Sequence, residues 1–305
     1  MKRGIIITFI CLILLTSLVS AGIFENFKKI ITGHASSQTV NVSVSIAGTN
    51  PAYIPAVSEI SAQDPTEDSS TVVHFNFTIC DPDGEGDIDQ TSGQANFSYP
   101  GETARYNSSC VYEGQLNSTC GSFACNITMW YWDHAGFWNV SVNGTDKGAQ
   151  TVVFNSSTTF TYNELRAMVI TPDNVTWSGI TPGGTNQTAD NDPVTVNNTG
   201  NYDGTINMTG IDLHGATIDT EIFGVDNFTV DVETGGSPAA ECDGTYLVND
   251  TTTSISNTDT NPGNLSEGGG AGQETLYYCI PEVPLLSTQE YTTSTAGNWT
   301  ITYDV

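Results

Sequence analysis

An acidic stretch, CDPDGEGDID, begins at Cys80 and follows a hydrophobic run. It holds five carboxylates within nine positions, at Asp81, Asp83, Glu85, Asp87 and Asp89. Calcium prefers oxygen ligands, and an EF-hand loop supplies them from positions 1, 3, 5 and 9 with glycine at position 6, a pattern that this stretch matches. At position 12, where an EF-hand has a bidentate glutamate, the sequence has Ser92. The flanking segments also look like strands, so the sequence argues against an EF-hand.

Two interpretations of the acidic stretch remain open. A calcium site in a loop between strands would relieve the repulsion among the five carboxylates, and weak affinity is typical of extracellular calcium modules. A hydrated acidic turn, with its backbone set by Pro82 and Gly84, would need no ion.

Aromatic residues cluster further along the chain. Trp130 and Trp132 fall on one face of an extended segment, opposite Tyr131. An exposed pair would be a platform on which a sugar ring stacks, whereas a buried pair belongs to a sheet core. Trp130 and Trp132 are therefore candidate ligand-stacking residues.

Signals of catalysis are weak. The histidines His34, His74, His134 and His214 have no zinc-ligand spacing, and the chain has no nucleophile elbow and no phosphate-binding loop. We predict that the protein is not an enzyme and assign no catalytic residues.

Six cysteines lie beyond the amino-terminal apolar run, which itself holds Cys11. An even set in a secreted chain favours disulfides. Pairing within each half of the chain leaves Cys242 with Cys279 and allows three connectivities for the other four. The six predicted disulfide cysteines are Cys80, Cys110, Cys120, Cys125, Cys242 and Cys279.

The amino terminus has the composition of a secretory signal peptide, with Lys2 and Arg3 before an apolar run that ends at Val19. The run is about 15 residues, short of the roughly 20 that span a bilayer, so we predict a cleaved signal peptide over residues 1–21. An uncleaved anchor and prepilin-type cleavage before Ile5 stay open as alternatives. Residues 22–37 are predicted to be a short amphipathic segment or linker.

Charge limits the possible partners. The chain carries 34 acidic and 7 basic residues, a formal net charge of −27 at pH 7. Only Arg105, Lys147 and Arg166 are basic beyond residue 35. Nucleic acid is excluded as a partner because phosphate binding needs the opposite sign.

Asparagine-x-Ser/Thr sequons are unusually frequent. They account for 17 of the 25 asparagines, whereas chance placement of the 69 serines and threonines gives about six. In segments such as VHFNFTIC, alternation puts valine and phenylalanine on one face and the sequon on the other. We therefore predict a densely N-glycosylated surface over a sheet core. The predicted glycosylation sites are Asn41, Asn76, Asn96, Asn107, Asn117, Asn126, Asn139, Asn143, Asn155, Asn174, Asn186, Asn197, Asn207, Asn227, Asn249, Asn264 and Asn298.

Period-2 alternation bounded by Gly, Asn, Asp and Pro predicts an all-β chain. Its length suits two tandem antiparallel β-sandwiches, residues 38–162 and 163–305, with loops over residues 47–70 and 249–274. Strands are predicted at 39–46, 71–80, 126–132, 137–143 and 150–154 in the first half. In the second half they are predicted at 167–170, 194–196, 204–208, 227–232, 276–280 and 299–303.

The segment DHAGFWNVSVNGTDKG, residues 133–148, resembles the final hairpin of PKD-like and related immunoglobulin-like domains. The early turn DPDG, residues 81–84, is also similar to theirs. In the second half, TPGG at residues 181–184, VNNTGN at 196–201 and GIDL at 210–213 resemble a β-sandwich module of archaeal secreted surface glycoproteins. The resemblance implies immunoglobulin-like folds for both halves and a place at the cell surface.

Together these features predict a secreted, extracellular cell-surface glycoprotein that serves as an envelope (S-layer), sheath or appendage component. The expected partners are other surface proteins or further copies of the chain, with contact to a membrane only through an uncleaved amino terminus. Calcium and N-linked glycans are the expected cofactors. An adhesin or carbohydrate-binding module and a pilin-like filament subunit are the alternatives.

Overall fold

A computed structural model describes residues 42–43, 50–148, 152–232, 242–258 and 272–303 of the chain. Within these ranges the chain consists of β-strands and loops, with two short 3-10 turns at Glu85–Asp87 and Val225–Asn227. Every pair of named strands is antiparallel. The predicted all-β class is confirmed.

The first half, residues 50–162, contains eight strands in two sheets. They are β1 (Tyr53–Val57), β2 (Ser70–Cys80), β3 (Gln94–Ser98), β4 (Arg105–Asn107), β5 (Val111–Gln115), β6 (Cys120–Trp130), β7 (Gly136–Thr145) and β8 (Val152–Tyr162). One sheet has the order β1-β2-β6-β5 and the other has the order β4-β3-β7-β8. Alternate residues of both sheets form a single hydrophobic cluster, whose largest buried side chain is Trp138.

The described residues of the second half, between 163 and 303, contain twelve strands, most of them short. They are β9 (Met168–Thr171), β10 (Thr185–Thr188), β11 (Val194–Asn198), β12 (Ile206–Gly210), β13 (Leu213–Gly215), β14 (Ile222–Phe223), β15 (Thr229–Val232), β16 (Thr245–Tyr246), β17 (Thr251–Ser254), β18 (Gln273–Glu282), β19 (Tyr291–Thr292) and β20 (Thr300–Tyr303). The largest sheet has the order β16-β15-β18-β11-β9, with β10 also paired to β18. Two three-stranded sheets, β17-β12-β20 and β14-β13-β19, complete this half.

A second hydrophobic cluster fills this half and is centred on aromatic rings. Phe228 is 1% exposed and its ring contacts Trp177, Phe223 and Trp299 at centroid distances of 5.0–5.1 Å. The last member of the first cluster is Tyr162, and Met168 is the first residue packed against the second cluster. Both clusters lie in one compact unit that begins at Gly48.

Each predicted strand from residue 71 onward overlaps an observed strand, because each was identified by apolar alternation that the sheets then bury. Of the predicted strand at 39–46, only residues 42–43 are described, and neither lies in a strand. Residues 1–37, with the predicted signal peptide and linker, lie outside the described ranges.

Two predicted loops were partly wrong. Residues 47–70 contain β1, whose Pro55 obscured it in the sequence; proline is tolerated in this strand because β1 lies at a sheet edge and needs fewer donors. Residues 249–274 contain β17, an edge strand of the polar sequence TTTS that pairs with β12. Neither strand has the apolar alternation on which the prediction depended.

Candidate functional site

The acidic stretch is positioned by the alternation of β2. Val73, Phe75, Phe77 and Ile79 face the core, and the next residue in the same phase is Asp81, which is 0% exposed. Asp81 N donates to Thr119 O at 2.8 Å, which continues the ladder one step beyond the end of the strand. The Asp81 carboxylate thus points inward because it follows the same alternation that buries the apolar residues of β2.

Strand β7 delivers a second carboxylate in the same way. Trp138, Val140, Val142 and Gly144 are buried, and Asp146 follows them in phase at 0% exposed. A Cβ at Gly144 would lie 2.2 Å from Ile79 Cδ1, so glycine lets the ends of β2 and β7 approach closely. Asp146 was not among the predicted ligands.

The 3-10 turn Glu85–Asp87 supplies a third carboxylate, Asp87. Gly84 enters the turn at φ 128°, a left-handed conformation that favours glycine. Ile88, fully buried, forms a bridge with Asp146, and Lys147 N donates to Asp87 O at 2.6 Å. These backbone contacts fix the turn against the end of β7.

Asp81, Asp87 and Asp146, here called the aspartate triad, each offer one carboxylate oxygen within 4.8 Å of the others. Burial raises the pKa of Asp81, and the neighbouring charges of Asp146, Asp87 and Asp83 raise it further, against the lowering effect of the hydrogen bond from Asp83 N. The triad therefore concentrates like charge in a site with little access to water.

The other three predicted ligands do not belong to this group, and their carboxylates have hydrogen-bond partners of their own. Asp83 accepts hydrogen bonds from the backbone N and Nδ2 of Asn50. Glu85 accepts from Tyr112 Oη, and Asp89 accepts from Thr91 N at 3.0 Å and Thr91 Oγ1 at 2.8 Å. The bonds from Thr91 lower the pKa of Asp89. Side chains spaced by two in a turn point in different directions, so their common sequence pattern did not bring them together.

A third buried aspartate, Asp133, lies at the opposite end of the β2–β6 ladder. Ile127 and Met129 face the core from β6, and the buried Tyr131 and Asp133 follow in the turn after the strand, where Asp133 is 0% exposed. Its Oδ1 pairs with Arg105 Nη2 at 2.5 Å, and its Oδ2 accepts from Trp130 N at 2.7 Å. Sequence reasoning gave no role to this ion pair.

Hydrogen bonds between the two halves of the chain lie near Asp133. Asn201 Nδ2 donates to Asp133 O at 2.9 Å and to Asn163 O at 3.0 Å, while Asn201 Oδ1 accepts from Leu165 N at 2.6 Å. Thr199 Oγ1 donates to Glu67 Oε1 at 2.7 Å. The NNTGN segment, singled out in the sequence as a module motif, therefore fastens the second half to the first.

Trp130 and Trp132, the predicted ligand-stacking residues, stack on each other. The rings of Trp130 and Trp132 lie parallel, with centroids 4.9 Å apart and 6° between their planes. Trp130 is 37% exposed, and Tyr131 is buried and meets Trp132 edge-on. One face of each tryptophan is thus occupied by the other, which leaves only an outer face for a ligand.

A shallow cleft of about 630 Å³ lies near the start of β7. Its lining includes Tyr99, which stacks on His134 at 4.5 Å, and Phe137, which is 70% exposed. The sequon residue Asn139 also lines it, on the same outward face of β7 as Phe137.

Sequon asparagines lie at accessible positions. Asn41 and Asn264 are outside the described residues, and no other sequon asparagine is buried. The buried asparagines of the described chain, Asn198 at 0% and Asn201 at 5% exposed, are not sequons. The described sequon asparagines are thus exposed or half-buried, and some of them, such as Asn155 and Asn227, also make hydrogen bonds within the chain.

All six predicted cysteines form disulfides, and the open connectivity resolves to Cys80–Cys120 and Cys110–Cys125, with Cys242–Cys279 as predicted. Cys80 and Cys120 lie directly opposite each other on β2 and β6. That bond closes the end of the ladder next to Asp81.

Within the described ranges, no helix has the length and apolar character needed to cross a membrane. No protein-family model matches the sequence, and comparison with curated proteins gives no match.

Proposed function

We propose that this chain is a secreted, heavily N-glycosylated structural protein of the cell surface, used as an envelope, sheath or appendage component. The observation that carries the proposal is the sorting of asparagines: the described sequon positions are accessible, and both buried asparagines fall outside sequons. This division leaves the described sequons open to a glycosylating enzyme, and the 17 sequons against about six expected by chance add to its weight.

Both halves are proposed to be immunoglobulin-like sandwiches, with the first of the PKD-like kind. In the first half, the sheet order β1-β2-β6-β5 corresponds to strands A, B, E and D of an immunoglobulin-like domain. The facing order β4-β3-β7-β8 then corresponds to C′, C, F and G, which supports the assignment. The separate hydrophobic cluster of the second half supports a second domain.

The proposed mechanism is mechanical and steric. Three disulfides staple the sheets, and glycans on the outer strand faces would keep water around the surface and hinder pairing at sheet edges. The net charge of −27 repels nucleic acid and favours partners that bring cations or opposite charge. Other surface proteins, or further copies of this chain, are the proposed partners.

Glycopeptide mass spectrometry of the protein isolated from its own cells, together with electron microscopy of the native envelope, tests this proposal. We expect glycans on exposed positions such as Asn117, Asn126 and Asn139, and none on Asn198 or Asn201. Asn155 and Asn227, whose Nδ2 atoms donate to Ile54 O and Gly224 O, are expected to show lower occupancy. A secreted chain without glycans, or one absent from surface assemblies, would contradict the proposal.

A carbohydrate-binding adhesin is the second candidate, favoured by the exposed Phe137 beside Tyr99 and by the outer face of Trp130. Loss of glycan-array binding in Trp130→Ala or Phe137→Ala would support it. Retention of binding in both variants would exclude these surfaces. A pilin-like subunit stays a prediction that amino-terminal sequencing tests, because its mature chain would begin at Ile5.

A further inference from the structure

We infer that the aspartate triad, Asp81, Asp87 and Asp146, is a calcium site that joins the ends of β2 and β7. This inference does not depend on the proposed surface function, since it rests on the chemistry of three side chains. The proposed site also differs from the calcium site predicted from the sequence, because it includes only two of the five predicted carboxylates and adds Asp146.

Convergence is the first argument. The three carboxylates come from the end of β2, from a 3-10 turn and from the end of β7, and their oxygens still meet within 4.8 Å. Asp81 and Asp146 are both 0% exposed, so the triad is not a hydrated acidic turn on the surface. Placing like charges together away from water is unfavourable unless a cation or protons offset them.

The hydrogen bonding of Asp81 is the second, independent argument. Its Oδ1 accepts from Asp83 N at 2.8 Å, whereas its Oδ2 is buried and accepts no hydrogen bond from any described residue. A buried carboxylate oxygen without a donor is costly. A metal ion would satisfy that oxygen.

Among the described residues, the basic side chain next to the triad in sequence does not fill this role. Lys147 follows Asp146 directly, but it is exposed and its Nζ donates to Gly86 O at 3.0 Å. Arg105 is committed to Asp133 at the other end of the sandwich. Among the described residues, the triad thus has one ammonium group at its rim and three carboxylates inside.

An all-oxygen set of carboxylates selects a hard cation over zinc or copper. Calcium fits best because it accepts irregular geometry and several carboxylates, whereas magnesium demands a near-ideal octahedron and keeps several waters. The ion would connect strands that belong to different sheets and so stabilise the fold. Affinity in the range of extracellular modules, about 10⁻⁴–10⁻³ M, is expected.

Calorimetric titration of calcium into the chelator-treated full chain tests the inference, with thermal unfolding as a second readout. We expect saturable binding at one site and a rise in Tm with calcium. Asp146→Asn should weaken binding more than about tenfold, since even changes to groups behind a metal ligand cost that much. Asp83→Asn, the matched control from the acidic stretch itself, should bind as wild type does.

A variant of Asp81 also has a distinctive behaviour without calcium. In chelator, Asp81→Asn should raise Tm because it removes a like charge, and in calcium it should lose the stabilisation that wild type gains. Wild-type protein with no heat of binding and no Tm shift up to about 10 mM calcium, well above the weakest extracellular sites, would overturn the inference. Equal weakening by Asp83→Asn and Asp146→Asn, or tighter binding of magnesium than of calcium, would overturn the assignment as well.

Discussion

Asp133 and Asp81 are two fully buried aspartates at opposite ends of one strand ladder, and their surroundings are opposite in charge. Each follows the buried phase of a strand, β6 for Asp133 and β2 for Asp81. Asp133 pairs with Arg105 and accepts a backbone N–H. Asp81 accepts a single backbone N–H and lies beside Asp87 and Asp146.

Burial alone therefore does not determine the role of a carboxylate. At Asp133 the protein itself supplies the neutralising charge, and the same residue's carbonyl receives Asn201 from the second half, so this end of the sandwich is a structural junction. At Asp81 the protein supplies further negative charge. That end is therefore suited to a ligand that comes from solution.

The largest effect should come from Arg105→Ala. It leaves Asp133 buried without its guanidinium, and breaking a buried pair in this way typically costs about 3–5 kcal/mol. Urea unfolding of the full chain in chelator measures the loss. Glu164→Ala is the matched control, because Glu164 is 45% exposed and its pair with Arg166 contributes about 0–1 kcal/mol. Equal losses in the two variants would mean that Asp133 finds another partner.

The next effect should come from Asn201→Ala, which breaks the junction from the other side. The buried Asp133 O and the half-buried Asn163 O and Leu165 N lose their partner, for an expected loss of about 2–3 kcal/mol. The same measurement on Gln94→Ala, an amide removed from an exposed strand position, should change stability by less than about 0.5 kcal/mol. A loss as small as that in Asn201→Ala would show that water replaces the junction contacts.

Asp192, in the second half of the chain, is a third aspartate whose surroundings can be compared with those of Asp81 and Asp133. Burial raises its pKa to about 6, although it accepts a hydrogen bond from Tyr278 N at 2.9 Å. The folded chain therefore holds a proton that the unfolded chain, with an ordinary pKa of 3.8, has released. The free energy of unfolding should then fall as pH rises from about 4 to 6, by about 2 kcal/mol after allowance for partial exposure.

Denaturant unfolding across this pH range, in chelator, checks the sign. Asp192→Asn should flatten the decline, whereas Asp190→Asn, an exposed neighbour, should leave it unchanged. The burial of Asp81 raises its pKa too, so part of the decline should persist in Asp192→Asn and disappear with calcium. A pH profile of Asp192→Asn that matches the wild-type profile would contradict the raised pKa of Asp192.

Alternation made the all-β class and most of the longer strands predictable from the sequence. Strands with a clear apolar phase, such as β2 and β7, were located. The strands that were not predicted have at most five residues, which is too short for a clear period; they are β1, β3, β4, β5, β10, β13, β14, β16, β17 and β19. Strand order and the pairing of the first four cysteines depend on contacts between distant segments, which local patterns do not contain. The register that sets Cys80 against Cys120 is such a contact.

The candidate site was predictable only in part, for the same reason. The acidic stretch identified Asp81 and Asp87, but counting carboxylates along a loop grouped residues that face different ways. Continuing the alternation past each strand end would have given a better signal. Asp81, Asp133 and Asp146 all lie one step beyond a buried run, and an acidic residue at such a position indicates either a buried ion pair or a ligand.

The smallest effect should come from Asp89→Asn, which tests whether the acidic stretch acts as a unit. Asp89 accepts hydrogen bonds from Thr91 N and Thr91 Oγ1, and an asparagine Oδ1 accepts both. We therefore expect a change in unfolding free energy within about 0.5 kcal/mol and an unaltered heat of calcium binding. Asp87→Asn, two residues away and equal in charge, should abolish most of that heat. If the two variants lost calcium to the same extent, the five carboxylates would act together as a diffuse negative field, and the contrast between a triad and its neighbours would fail.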